Sequence, residues 1–154
     1  MKTTTILFAL LGLMAMLPAT SAQEKPFIKI GIIGCDTSHV PALTSLFNDP
    51  KNEGDLAGFR VVAAFPGGSN DIKDSYTRVD GFVKQINEKW GVEIVGSIDE
   101  LLQRVDVVLL ESVDGRPHLA QATPVLKAKK KIFIDKPIAG SLADALKLFA
   151  LAPI

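Results

Sequence analysis

Cysteine is nearly missing from this chain. Cys35 stands alone among 154 residues, so no intramolecular disulfide can form. It directly follows an apolar run, where a buried and inert thiol is expected rather than a reactive one. A surplus of either charge is missing too: 17 Lys and Arg balance 17 Asp and Glu. No global field therefore draws the chain to nucleic acid or to an acidic membrane. The basic run Lys127, Lys129, Lys130 and Lys131 is expected at a helix C-terminus, where positive charge is favourable. Internal repeats and low-complexity tracts are absent. No apolar stretch reaches the roughly 20 residues of a membrane-spanning helix.

The longest apolar run, Ile6 to Leu17, follows Lys2 and precedes the small residues Pro18-Ala19-Thr20-Ser21-Ala22. This is the layout of a secretory signal peptide over residues 1–22, cleaved after Ala22. Retention as an N-terminal anchor is the alternative. No Cys follows the run closely and no Arg pair precedes it, which speaks against a lipoprotein and against the twin-arginine route. The expected location is periplasmic or secreted, by a Sec-type path, with no membrane attachment after cleavage.

What remains is long enough for one domain with a sizeable core. Phe27 to Gly34 reads as a buried strand ending in glycine, and a helix is expected from Pro41 to about Asn48. Phe59 to Phe65 is a second strand, followed by the turn Pro66-Gly67-Gly68-Ser69-Asn70-Asp71. Ile72 to Trp90 reads as mainly helical, with Gly81 as its weak point. Val92 to Val95 is a short third strand. Ser97 and Glu100 form a capping box before a small helix. Val105 to Leu110 is a fourth strand, His118 to Lys129 a helix, Lys131 to Ile134 a fifth strand. Ser141 caps a last helix to about Leu151. The strands are apolar throughout, so both sheet faces are covered. The expected fold is α/β, a Rossmann-like doubly wound parallel sheet of five strands over residues 27–151, with helices on both faces. Ligands of such sheets bind outside the carboxyl ends of the strands.

Gly31, Gly34 and the helix after them invite a dinucleotide fingerprint, G-x-G-x-x-G starting at Gly34. The pattern needs glycine at positions 36 and 39, where this chain has Asp36 and His39. The middle glycine lets backbone approach a pyrophosphate, and the last lets helix pack on strand. Asp36 puts a carboxylate where a phosphate would sit, and Asp36-Thr37-Ser38 reads as an N-cap for the helix. Replacing Asp36 and His39 together by glycine is expected to strengthen dinucleotide binding. The acidic residue that bonds the ribose, about 20 positions further on, is also missing. The nearest acid, Asp71, lies deeper in the loop.

Asp135-Lys136-Pro137 at the end of the fifth strand resembles the Glu-Lys-Pro signature of the Gfo/Idh/MocA oxidoreductases, the glucose–fructose oxidoreductase and inositol dehydrogenase type. Ile32-Ile33-Gly34-Cys35, Ser97 to Leu102, and His118 at a helix start support the likeness. The resemblance implies that the domain binds NAD or NADP through Gly31, Gly34, Asp36, Thr37, Ser38, Glu111, Asp135, Lys136 and Pro137. It implies that Lys136 lies near nicotinamide and substrate and assists proton transfer. In the family, a second domain binds a sugar or cyclitol. The chain ends where that domain is expected to begin, so an N-terminal half with little activity of its own is expected. Val113-Asp114-Gly115 stands where the family has Thr-Pro-Asn.

Two other readings remain open. Asp36, His39, Glu111, Asp114, His118, Asp135 and Lys136 all fall near strand ends, and such a rim could make a non-enzymatic module for a sugar-like molecule. No pair shows a spacing such as H-x-x-x-H, so no metal ion is expected. The other reading is a remnant without function, with apolar surface exposed where a second domain should pack.

Overall fold

A computed structural model of the chain describes residues 26–152. The expected signal peptide at residues 1–22 lies outside the described residues. Five strands, β1 (Ile28–Ile33), β2 (Phe59–Phe65), β3 (Glu93–Ile94), β4 (Val107–Leu110) and β5 (Lys131–Ile134), form one sheet. Its order is β3-β2-β1-β4-β5 and every pairing is parallel. The connecting helices are α1 (His39–Asn48), α2 (Lys73–Tyr76), α3 (Val79–Trp90), α4 (Ile98–Leu102) and α5 (His118–Lys127), with α6 (Leu142–Leu151) after β5.

Strand periodicity sends alternate residues of β1 to opposite faces, and each face has its own core. Ile30 and Ile32 pack with Val40 of α1, Val61 and Ala64 of β2, and Ile86 of α3. Ile33 packs with Leu101 of α4, Val108 and Leu110 of β4, Ala122 and Val125 of α5, and Leu148 of α6. Helices thus cover both faces, as the unbroken apolar strands require. Asn48, at the end of α1, is buried but satisfied. Its side-chain amide donates to the Val61 carbonyl at 2.9 Å and its oxygen accepts from Val61 N–H at 2.8 Å. That pair fixes the α1 C-terminus to β2.

Several local expectations need correction. The helix expected from Ile72 to Trp90 is broken at Thr77–Arg78, not weakened at Gly81, which sits inside α3. Nothing would obstruct a Cβ at Gly81, so the position is open surface. A 3-10 turn, Gly54–Gly58, lies in the connection between α1 and β2. The Ser97 box forms in modified shape: Ser97 Oγ accepts from Glu100 N–H, while the Glu100 carboxylate reaches Gly96 N–H instead of Ser97. Asp36 does not cap α1. Ser38 holds the N-cap position without a side-chain cap bond, Thr37 Oγ1 accepts from His39 N–H at 3.3 Å, and the Asp36 carboxylate points elsewhere.

Candidate functional site

The strand order places the topological switch between β1 and β4, whose chains leave the sheet in opposite directions. Four strand ends meet above it. Gly34, directly after β1, has φ +86°, and a Cβ there would come within 2.7 Å of Ser112 Cα. The two strand exits approach more closely than any side chain allows. Gly67, directly after the Phe65-Pro66 end of β2, backs the same turn; its Cβ would lie 3.1 Å from Gly34 Cα.

Asp36 is buried in this crevice. Its Oδ2 accepts from Ser75 Oγ at 2.6 Å and its Oδ1 from Val113 N–H at 3.1 Å. The carboxylate therefore bridges the exits of β1 and β4 and takes up a backbone N–H on the far side. Beside it, Cys35 is also buried, and burial, with the Asp36 charge, pushes its thiol up to about 12. Burial and the raised pKa both disfavour the thiolate, the reactive form.

On the β2 side, the Arg116 guanidinium ties two acids together. It meets Asp114 at 2.7–2.9 Å and Asp71 at 2.8–2.9 Å. Ser69 Oγ donates to Asp114 at 2.6 Å. The bond from Arg116 holds the Asp114 carboxyl well below the usual carboxylate range. Asp71, the nearest acid after β2, is thus committed to an arginine.

On the β5 side, three groups converge that are far apart in sequence. His39 opens α1, Glu111 follows β4 and Asp135 follows β5. His39 Nδ1 lies 2.8 Å from Asp135 Oδ2 and 3.7 Å from Glu111 Oε2. Glu111 is buried, and neither of its carboxylate oxygens has a hydrogen-bond partner among the described residues. Burial, reinforced by Asp135, pushes its carboxyl up to about 7, against the pull of His39 and Lys136. The three side chains border a cleft of ≈ 380 Å³ whose other walls are Ala42, Leu43, Phe47, Leu109 and Phe133.

The remaining residues singled out by sequence separate into distinct roles. Gly31 lies within β1, and a Cβ there would press on Val105 and Leu101 at 3.0–3.1 Å, so its smallness admits close packing from that side. Thr37 is buried and Ser38 exposed at the start of α1. Lys136 and Pro137 are exposed, joined by a cis peptide bond. His118 is fully buried, with Nε2 2.8 Å from the Ser112 carbonyl and Nδ1 3.3 Å from that of Ile138. It locks the exits of β4 and β5 together and does not open into the cleft. Sequence reasoning passed over Ser75 and Gln121. Ser75 holds Asp36, and Gln121 Oε1 accepts from Ser112 Oγ at 3.0 Å. Neither carries a local motif.

A doubly wound parallel sheet with a polar rim at its switch point defines a dinucleotide-binding class of fold. Comparison makes it particular: the chain belongs to the oxidoreductase family with an NAD-binding Rossmann fold (GFO/IDH/MocA), whose model matches residues 28–153. No curated protein matches it. Solved structures do. A dehydrogenase from Clostridium difficile shares 22% identity at TM-score 0.57, over 80% of this chain and 35% of that one. An oxidoreductase from Agrobacterium radiobacter, solved with NAD+, L-tartaric acid and magnesium, shares 20% at TM-score 0.59, over 80% and 32%. A 3-ketoreductase from Actinomadura kijaniata, solved with NADP and TDP-benzene, shares 26% at TM-score 0.56, over 83% and 34%. The chain thus spans about a third of the length of these structures.

Proposed function

We propose that this domain holds NAD or NADP across the carboxyl ends of β1, β2, β4 and β5, as the cofactor half of an oxidoreductase acting on a sugar-like CH–OH group. The observation that carries this reading is the switch point between β1 and β4, where Gly34 and Gly67 let the strand exits approach closely beside the start of α1. In open parallel sheets of this kind a dinucleotide lies outside the strand carboxyl ends at such a point. Gly34, Thr37 and Ser38 would border the diphosphate. Glu111, Asp135, Lys136 and Pro137 would stand on the nicotinamide side. A nicotinamide supplies hydride transfer. Lys136 Nζ, exposed next to Asp135, is the group that would move a proton at the substrate hydroxyl. The Sec-type signal at residues 1–22 supports export of the domain.

Asp36 limits this function. Its charge stands at the switch point and already occupies Val113 N–H. Binding is therefore weak, and Asp36→Gly, which removes the charge and frees that donor, tightens it by about tenfold. Calorimetric titration of the purified chain with NAD+, NADH, NADP+ and NADPH tests this. Weak binding that strengthens in a folded Asp36→Gly variant supports the reading. No binding by either protein, both monodisperse and folded by circular dichroism, contradicts it.

A further inference from the structure

We propose that His39, Glu111 and Asp135 form a site for a first-row divalent cation of the Zn2+ or Mn2+ kind, open on one side to the apolar cleft beside α1. The three offer one imidazole nitrogen and two carboxylates, and their ligand atoms all lie within 4.8 Å of one another. That donor set suits borderline cations.

Glu111 decides between a cation site and a plain ion pair. His39 and Asp135 already satisfy each other at 2.8 Å. Glu111 has no hydrogen-bond partner among the described residues, although its side chain has no solvent exposure, and it meets positive charge only through His39 at 3.7 Å and the nearby Lys136. An isolated carboxylate buried among apolar groups carries a large desolvation cost unless something of opposite charge meets it. The walls around it, Leu109, Leu43, Phe47 and Phe133, offer no donor. A dication between the two acids and the imidazole would neutralise both carboxylates and give Glu111 its partner.

The dimensions agree. Ligands about 2.1 Å from a tetrahedral ion stand about 3.4 Å apart. The two distances from His39 Nδ1, 2.8 and 3.7 Å, bracket that spacing. Seating the ion would widen the His39–Asp135 contact by about 0.6 Å, with the ligand atoms of Glu111 and Asp135 within 4.8 Å of each other, and would displace the proton between His39 and Asp135. The His39 side chain is 45% exposed, so the site has an entrance. Three protein ligands leave a coordination position facing the cleft for water or an oxygen donor.

This inference does not depend on dinucleotide binding, and the test keeps the two apart. The metal-stripped chain, without nucleotide, is titrated calorimetrically with ZnCl2 and MnCl2. Visible absorption of added Co2+ reports a nitrogen-containing, low-coordinate environment in the unaltered chain. One site per chain is expected. His39→Ala and Glu111→Gln, folded by circular dichroism, should each weaken binding by about tenfold or more, since even outer-shell partners of a metal are worth that much. Asp71→Asn, on the far side of the switch point, should leave it unchanged. No binding of either metal and no Co2+ band would overturn the proposal. So would an affinity indifferent to both His39→Ala and Glu111→Gln, which would mean adventitious surface binding.

Discussion

Buried acids give the crevice its character, and each has found a different solution. Asp36 takes a hydroxyl and a backbone N–H. Asp114 takes Arg116 and Ser69. Glu111 has no hydrogen-bond partner among the described residues. The Asp114 arrangement should show in acid. The folded state holds its proton more weakly than the unfolded chain, whose Asp titrates near 3.9. The bond therefore contributes fully above about pH 4 and is lost progressively as pH falls below that value. Asp114→Asn is expected to cost about 2 kcal/mol near neutral pH. In urea unfolding series, the gap between wild type and variant should narrow as pH is lowered from about 7 to about 3. A constant gap would mean that Asp114 acts by shape, not charge.

Which acids stand at the strand ends was legible in the sequence; what they bind was not. Asp36 is visibly wrong for a glycine loop. Its partners Ser75 and Val113 lie 39 and 77 positions away. No local pattern announces them, and so capping of the adjacent helix was the natural expectation. For the same reason a search of spacings missed the convergence of His39, Glu111 and Asp135. Each comes from a different strand end, and only the parallel pairing of β1, β4 and β5 brings them together.

Among the elements, strands were read more accurately than the segments between them. β2 and β5 have the expected limits, because apolar runs bounded by Gly, Pro and charge leave little choice. The break between α2 and α3 falls at Thr77–Arg78, where Thr77 Oγ1 bonds the Lys73 carbonyl and Arg78 N–H the Ser75 carbonyl. Glycine propensity pointed to Gly81, but local side-chain and backbone bonds decided the boundary. The exit of β1 is sensitive to substitution. Gly34 needs a positive φ, and its neighbour Ser112 leaves no room for a methyl group. Gly34→Ala should cost more than about 2 kcal/mol by chemical denaturation, from strain and from the clash together. No cost, or a small gain like that expected for Gly81→Ala at an unobstructed position inside α3, would show that the two strand exits are free to move apart.

At the scale of the molecule, the doubly wound sheet turns four strand ends toward one crevice and packs a core on each side beneath it. Its β5 side remains apolar: Leu142 is 76%, Phe149 68% and Leu146 61% exposed. The chain spans about a third of the structures it matches. The five-stranded parallel sheet with helices on both faces could be read from the alternation of apolar runs and capped helices, though the strand order β3-β2-β1-β4-β5 came from the structure. Family membership could be read from Asp135-Lys136-Pro137. The state of the cofactor crevice could not, because it depends on how distant side chains fill it.

The central claim is that a dinucleotide lies across the carboxyl ends of β1, β2, β4 and β5. Amide chemical-shift mapping of the 15N-labelled chain during titration with NADH and NADPH tests it most directly, at a size of 16.5 kDa that suits the method. Shifts concentrated at Gly34 to His39, Gly67 and Gly68, Ser112 and Val113, and Asp135 and Lys136 are expected. Shifts at the amino ends of the strands, or scattered over the surface without saturation, would contradict it.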